Sequence, residues 1–315
     1  MLLRPATSSL VVLTNCVDGF VFHRRRSTRQ HDFAATVHSW KHEPFDYSSR
    51  IGWDDFYIKN YYNASSTVTE GSSNDDTVSY EWHSHITHST IIDTIRPAIM
   101  MAKRHYISQQ STIIHRRRLP SILLIGCGNS ALPQELHNAF NNKQEDVRFD
   151  GGGVRVTCLD YSPVCINMMK ATYTKDNYPY LDFVLGDATK IHDVIWTPNV
   201  DEEDVAGDNY NQTIAVVDDS RTEKQQFDII IDKGLLDALM CGDGFDIQQF
   251  MTGINDTLIL NNWGMHILIC FPLSESVKHQ ILTNKSSLIW NFDIPIDGHE
   301  NGRATFNLAR RRVSF

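Results

Sequence analysis

Two rhythms of apolar residues run along this chain. Short apolar runs recur at 122–125, 154–159, 182–185, 227–231 and 265–271, each dominated by Ile, Val, Leu and Phe and bounded by Gly, Asp or Ser. Such runs predict buried β-strands. Between them the spacing lengthens to that of helices, from Ser130 to about 140, from Pro163 to about 173, and around 245–260. Ser162 is placed to cap the second of these and Pro163 suits its first position. Two segments precede the first strand. GWDDFYIKNYY (52–62) predicts a short aromatic helix, and Ile91, Ile92, Ile95, Ile99 and Met100 share one helical face. Pro97 falls inside that face and predicts a kink or an early end. At the other end, 288–296 and 304–309 flank the turn-rich DGHENG, a hairpin signal.

Strands that alternate with helices imply a parallel sheet covered on both faces. The expected fold is therefore α/β: a doubly wound, mostly parallel, seven-stranded sheet closed by an antiparallel C-terminal hairpin. Residues 1–48 form a basic tail, and 49–315 form one domain interrupted by polar insertions near 141–153 and 197–226; a further polar loop spans 65–77. The first 31 residues hold a single acidic group, Asp18, against Arg4, Arg24, Arg25, Arg26 and Arg29. They read as a mitochondrial presequence, a disordered tail or a misassigned start, so the location is cytoplasmic with mitochondrial as the alternative.

Composition narrows the chemistry. Across 315 residues the formal net charge is −9, which disfavours non-specific nucleic-acid binding and suits a cationic substrate. No apolar run reaches membrane-spanning length. The six cysteines form no CxxC pair; Cys127, Cys158, Cys165 and Cys270 sit in apolar segments as core residues. His83, His85 and His88 have no fourth ligand nearby, so no metal site is expected.

The candidate site lies where strands end. SILLIGCGNSALPQEL (121–136) joins a strand to a helix through Gly126 and Gly128. Gly126 permits a sharp turn, and Gly128, without a Cβ, lets a ligand lie against the backbone. Asp160, ending the second strand, is placed to accept from ribose hydroxyls. It comes later than the ~20 residues usual after such glycines, and the insertion at 141–153 accounts for the excess. Asp187, ending the third strand, is placed for an adenine amino group, with Ala188 and Tyr161 against the ring. The corner lacks GxGxxG spacing, and no Walker lysine follows it. A nucleoside without a pyrophosphate points to S-adenosyl-L-methionine.

LLIGCGNS, VTCLDYS, LGDAT and FDIIIDKGLLDAL resemble, in order, the signature segments of class I S-adenosylmethionine-dependent methyltransferases. DKGLLDAL, with GWDDFY and YEWHSH ahead of the first strand, is similar to the methyltransferase-like family that includes lysine methyltransferases of translation elongation factor 1-alpha. The resemblance covers about residues 50–310 without the insertions. It implies that Trp53, Tyr57 and Trp82 close over the methionine end of the cofactor, that Gly126 and Gly128 hold its backbone side, that Asp160, Tyr161, Asp187 and Ala188 take the ribose and base, and that Lys233 lines the site. Trp53 and Trp82 also read as core aromatics, and Lys233 as a solvated lysine. This sequence departs from the family at Pro133 and at His83-Ser84-His85, which replace a small polar residue and a Gly-Asp-aromatic stretch.

The implied reaction transfers a methyl group to a lysine side chain of a protein partner, with no nucleic acid or membrane involved. A carboxylate near the amine would steer it; Asp232 and Asp237 are the candidates. DKGL stands where nucleic-acid amino-methyltransferases carry an Asn/Asp-Pro-Pro-aromatic motif, which disfavours base methylation. A non-catalytic binding module and a small-molecule methyltransferase are the alternatives. The sequence says nothing of oligomeric state.

Overall fold

The computed structural model describes residues 46–47, 49–65, 79–109, 118–141, 153–194, 225–283, 288–294 and 304–311. The basic tail up to 45, nearly all of the 65–77 loop and of both insertions, and the 297–302 turn lie outside the described residues.

Seven strands form one sheet in the order β3-β2-β1-β4-β5-β7-β6. They are β1 (Ser121–Ile125), β2 (Arg155–Asp160), β3 (Leu181–Leu185), β4 (Ile229–Lys233), β5 (Met265–Cys270), β6 (Leu288–Ile294) and β7 (Thr305–Arg311). The first five run parallel, and β7 returns antiparallel between β5 and β6. The doubly wound sheet with its antiparallel hairpin is as the sequence predicts. The chain leaves β1 toward β2 on one side and reaches β4 on the other. That reversal opens a crevice at the carboxyl ends of the central strands.

Strand periodicity divides the core in two. Ile122 and Leu124 of β1, with Ile229 and Ile231 of β4, pack beneath α1 (Arg50–Ser65), α2 (His88–Gln109), α3 (Leu132–Asn141) and α4 (Pro163–Thr172). Leu123, Ile125 and Ile230 face the other way, against a 3-10 turn (Ala188–Asp193), α6 (Ile247–Thr257) and α7 (Glu275–Thr283). The short α5 (Leu235–Met240) follows β4 directly. α5, α7 and the 3-10 turn escape the sequence pattern because one or two turns give too few periodic positions; α7 buries only Val277 and Ile281.

Two local expectations change. α2 continues past Pro97 to Gln109. An interior proline costs about 3 kcal/mol, but the same helix buries Ile91, Ile92, Ile95 and Ile99 along with Ala98, Ala102 and Tyr106, and each buried isoleucine alone contributes about 1.5–3 kcal/mol. β4 starts at Ile229 rather than at Phe227. Phe227 instead makes a parallel bridge to Leu258, and Asp228 leaves the strand pattern to become a buried acceptor.

Asp228 is fully buried and ties four segments together at the amino end of the sheet. Its Oδ1 accepts from Tyr106 Oη and Trp263 Nε1, both at 2.7 Å. Its Oδ2 accepts from the Ser121 N–H at 2.8 Å and the Ser121 hydroxyl at 3.1 Å. Burial and the neighbouring Asp228 charge push the Tyr106 phenol well up, so it stays a donor. Asp228→Ala strands these donors in the core. A loss of several kcal/mol is expected, about 1–3 for each buried donor left unpaired, read as a lower urea midpoint with an unchanged slope. A midpoint within experimental error of the wild type would refute the role.

Candidate functional site

The residues singled out for a ligand, Trp53, Tyr57, Trp82, Gly126, Gly128, Asp160, Tyr161, Asp187, Ala188 and Lys233, all line one cavity of about 330 Å³. It lies at the carboxyl ends of β1 to β4. Its floor is the glycine turn after β1. Gly126 and Gly128 have φ of +61° and +53°. A Cβ on Gly126 would lie 2.8 Å from Leu235 Cβ, so both backbone shape and space demand glycine there.

Asp160 closes β2 beneath this turn and is buried. Its Oδ2 accepts from the Gly128 N–H and its Oδ1 from the Ser162 N–H, both at 3.0 Å. The Tyr161 backbone N–H also acts on this carboxylate, and the remaining acceptor capacity is open to a ligand hydroxyl. Burial raises its carboxyl above the usual range, against the pull of those backbone donors. Ser162 caps α4 through the Cys165 N–H, and its hydroxyl donates to Asp54 at 2.5 Å, which fastens α1 to the same corner. One strand over, Asp187 caps the 3-10 turn by accepting from the Thr189 N–H and hydroxyl, with Ala188 buried beside it.

The aromatic wall comes from α1 and the strap before α2. Trp53 Nε1 donates to the Tyr47 carbonyl at 2.8 Å. The Trp53 ring lies 6.1 Å from Tyr47 and 6.2 Å from Trp82, centroid to centroid. Trp82 packs on the Gly234 backbone. Trp53 is thus both a core aromatic and a cavity wall. Tyr47 and Tyr80 are lining residues that the sequence pattern does not single out.

Glu81 is the larger omission. Its Oε1 accepts from the Ser130 hydroxyl at 2.8 Å and the Ala131 N–H at 2.9 Å, ahead of α3. Its Oε2 meets Lys233 Nζ at 2.7 Å and His88 Nε2 at 3.2 Å. Burial opposes its charge, but the bonds from His88, Lys233 and Ser130 and the Lys233 charge bring its carboxyl down to about 2. Burial likewise opposes charge on His88, and its contacts with Glu81 and Glu135 overcome that and raise it. The acid-Trp pair in YEWHSH was the available signal, but nothing in sequence spacing links Glu81 to Lys233.

Asp232 and Asp237 are not among the lining residues. Alternation puts Asp232 on the face opposite Lys233, where it is fully buried. Its Oδ1 accepts from the Leu235 and Leu236 N–H groups at 2.9 and 3.3 Å and so caps α5 from before Gly234. Burial, then repulsion from Asp237, pushes its carboxyl up to about 8. Asp237 accepts from the Phe271 N–H at 2.9 Å and meets His83 Nε2 at 2.7 Å. His83 holds φ +50°, the left-handed conformation that favours glycine. The bond to Asp237 and a 5.0 Å edge contact with Phe271 hold it there. His83 and His88 therefore serve different carboxylates. Cys127, Asp160 and Cys165 bring ligand atoms within 4.8 Å of one another. Hydrogen bonding among Cys127, Cys158 and Cys165, and burial, push the Cys127 and Cys165 thiols well up, so they pack as neutral core groups.

No family model matches this chain, and no curated protein matches it. Among solved structures, the fold is similar to precorrin-6y C5,15-methyltransferase from Geobacter metallireducens GS-15, at 10% identity over 76% of this chain and 98% of that one, TM-score 0.37. It is similar to fibrillarin of Aeropyrum pernix with bound S-adenosyl-L-methionine, at 12% identity over 60% and 66%, TM-score 0.34. It is also similar to human methyltransferase-like protein 13 in complex with SAH, at 12% identity over 72% and 82%, TM-score 0.38. The chemistry rests on this chain's own residues. Among the described residues no helix is long and apolar enough to cross a membrane.

The Asp232 carboxyl titrates near 4 in the unfolded chain and about 8 in the folded one. Across that window the unfolded chain sheds a proton that the folded chain keeps, so stability falls as pH rises from about 4 to about 8. Asp232→Asn removes the titration and keeps an acceptor for Leu235 and Leu236. Calorimetric melting should show the variant losing several degrees less than the wild type between pH 5 and pH 8. Parallel pH profiles would show that Asp232 does not carry this loss.

Proposed function

We propose that this chain is an S-adenosylmethionine-dependent methyltransferase acting on a lysine side chain of a protein, with an elongation factor 1-alpha-like protein as the candidate substrate. The observation that carries the reading is the placement of Asp160 and Asp187 at adjacent strand tips in one cavity, with the glycine turn of β1 on the other side of Asp160 and an aromatic wall. Acceptors at those tips suit a ribose and an adenine amino group.

The donor set supports a nucleoside that carries no phosphates. In dinucleotide and nucleotide enzymes the helix following a glycine turn presents free N–H groups to phosphate. Here Glu81 already occupies the Ala131 N–H and the Ser130 hydroxyl. A carboxylate with a strongly lowered pKa at that place repels phosphate and tolerates a cationic ligand.

When bound, the cofactor supplies a methyl group already activated on a sulfonium. The chain's contribution is then orientation and exclusion of water. Trp53, Trp82 and Tyr47 provide the dry wall, and a low-dielectric cavity favours the neutral form of an approaching amine, the nucleophilic one. Asp243 and Asp246 also line the cavity and favour a cationic side chain arriving there. With Asp232 and Asp237 buried behind β4, they act through the strand and the strap rather than on the amine.

The full chain should bind S-adenosylmethionine in calorimetry and transfer labelled methyl from it to a lysine of a protein in cell extract, located by mass spectrometry. Asp160→Asn should weaken cofactor binding by at least about tenfold, the usual scale for one charge-assisted bond. Absence of cofactor binding by the wild type would end the methyltransferase reading. Label found solely on nucleic acid or on small molecules would end the lysine assignment.

A further inference from the structure

The strap ahead of α2 runs alongside the segment that leaves β4. Glu81 bonds to Lys233 at 2.7 Å, Trp82 packs on the Gly234 backbone, and His83 Nε2 meets Asp237 Oδ2 at 2.7 Å. Three consecutive strap residues thus lie along 233–237. The first two contacts are made by cavity-lining residues, whereas neither His83 nor Asp237 is one. Both members of that outer pair are buried. Asp237 also reaches a third segment, where its Oδ1 accepts from the Phe271 N–H just past β5 at 2.9 Å.

The outer pair therefore joins two walls of the cavity from behind. Tyr80, Glu81 and Trp82 line it from the strap; Leu235, Ala238 and Leu239 line it from α5, the helix that carries Asp237. The bond is kept at a backbone cost, since His83 holds φ +50°. Glycine would take that turn without strain, but it would leave the strap unjoined to α5. Parting the two walls breaks the bond and strands a polar group in the core.

We infer that His83 and Asp237 are a positioning pair that latches the strap to α5 and so sets how fast a ligand leaves the cavity. The inference rests on the methyltransferase reading above and adds to it two residues that touch no ligand. Movement of such a wall limits release in many enzymes. Here the restraint lies outside the cavity, so it can be removed without altering any group that meets the ligand.

Release of S-adenosylhomocysteine from the full chain is measured by surface plasmon resonance, well below the melting temperature of every variant. His83→Gly keeps the turn and removes the bond. Its release should be at least about fivefold faster than that of the wild type, the scale of one buried hydrogen bond. His83→Gln puts a donor where Nε2 stands and should bring release back to within about twofold of wild type. In Asp237→Ala release should already be fast, and adding His83→Gly should change it by less than about twofold, the mark of two residues acting as one unit. Tyr106→Phe is the control: it removes a bond to Asp228 at the opposite end of the sheet and should leave release within about twofold of wild type.

Release from His83→Gly at the wild-type rate overturns the inference, as does release from His83→Gln as fast as from His83→Gly. Equal acceleration in Tyr106→Phe also overturns it, because general destabilisation then explains both. Full additivity of His83→Gly and Asp237→Ala overturns the pairing. Should Asp237→Ala not fold, the two His83 variants and the control decide by the same limits. If the wild type binds no S-adenosylhomocysteine, the methyltransferase reading falls and takes the latch with it, a result distinct from binding with unchanged release.

Discussion

The site depends on the saturation of one carboxylate. Glu81 draws in donors from the start of α2, the residues ahead of α3 and the end of β4. These lie up to 152 residues from Glu81 in sequence. Individually such bonds contribute modestly, since each replaces a bond to water. Together they fix where the strap ahead of α2 crosses the cavity, and with it the positions of Trp82 and Lys233. Their cooperation is visible in the acidity of Glu81, which stays ionised although burial opposes it.

Other buried carboxylates in the same sheet are held in different states for different tasks. Asp228 meets donors at every bond and locks the amino end of the strands. Asp160 is half-satisfied by backbone and keeps capacity toward the cavity. Asp232 has two backbone donors on one oxygen, none on the other, and a charged neighbour in Asp237; it is best held protonated near neutral pH. A sequence shows the same letter D three times. The chemistry of each is set by how many donors converge on it and by where along the sheet it sits.

Gly126, Gly128 and Gly234 have positive φ around the cavity, and among the described residues two that are not glycine share that conformation outside its lining, His83 in the strap and Asp293 on β6. A left-handed conformation costs a non-glycine residue about 1–2 kcal/mol. At His83 the buried contact with Asp237 offsets it. The strap at His83-Ser84-His85 thus keeps the turn by a side-chain bond where glycine would keep it by freedom.

The sequence by itself determined the sheet. Apolar runs bounded by Gly and Asp locate β1 to β5, and the change of rhythm at the end locates the hairpin, because burial on both faces leaves a one-dimensional trace. It also marked the glycine turn, Asp160 and Asp187, since strand ends are where such folds place ligands. The end of β4 was legible only to within two residues, and that was enough to misplace Asp232, which alternation turns away from the cavity. Tertiary structure alone decided the course of α2 past Pro97, where distributed burial outweighs a local penalty. It alone joined Glu81 to Lys233 and His83 to Asp237, because contacts across 152 and 154 residues leave no period or spacing in the chain to read.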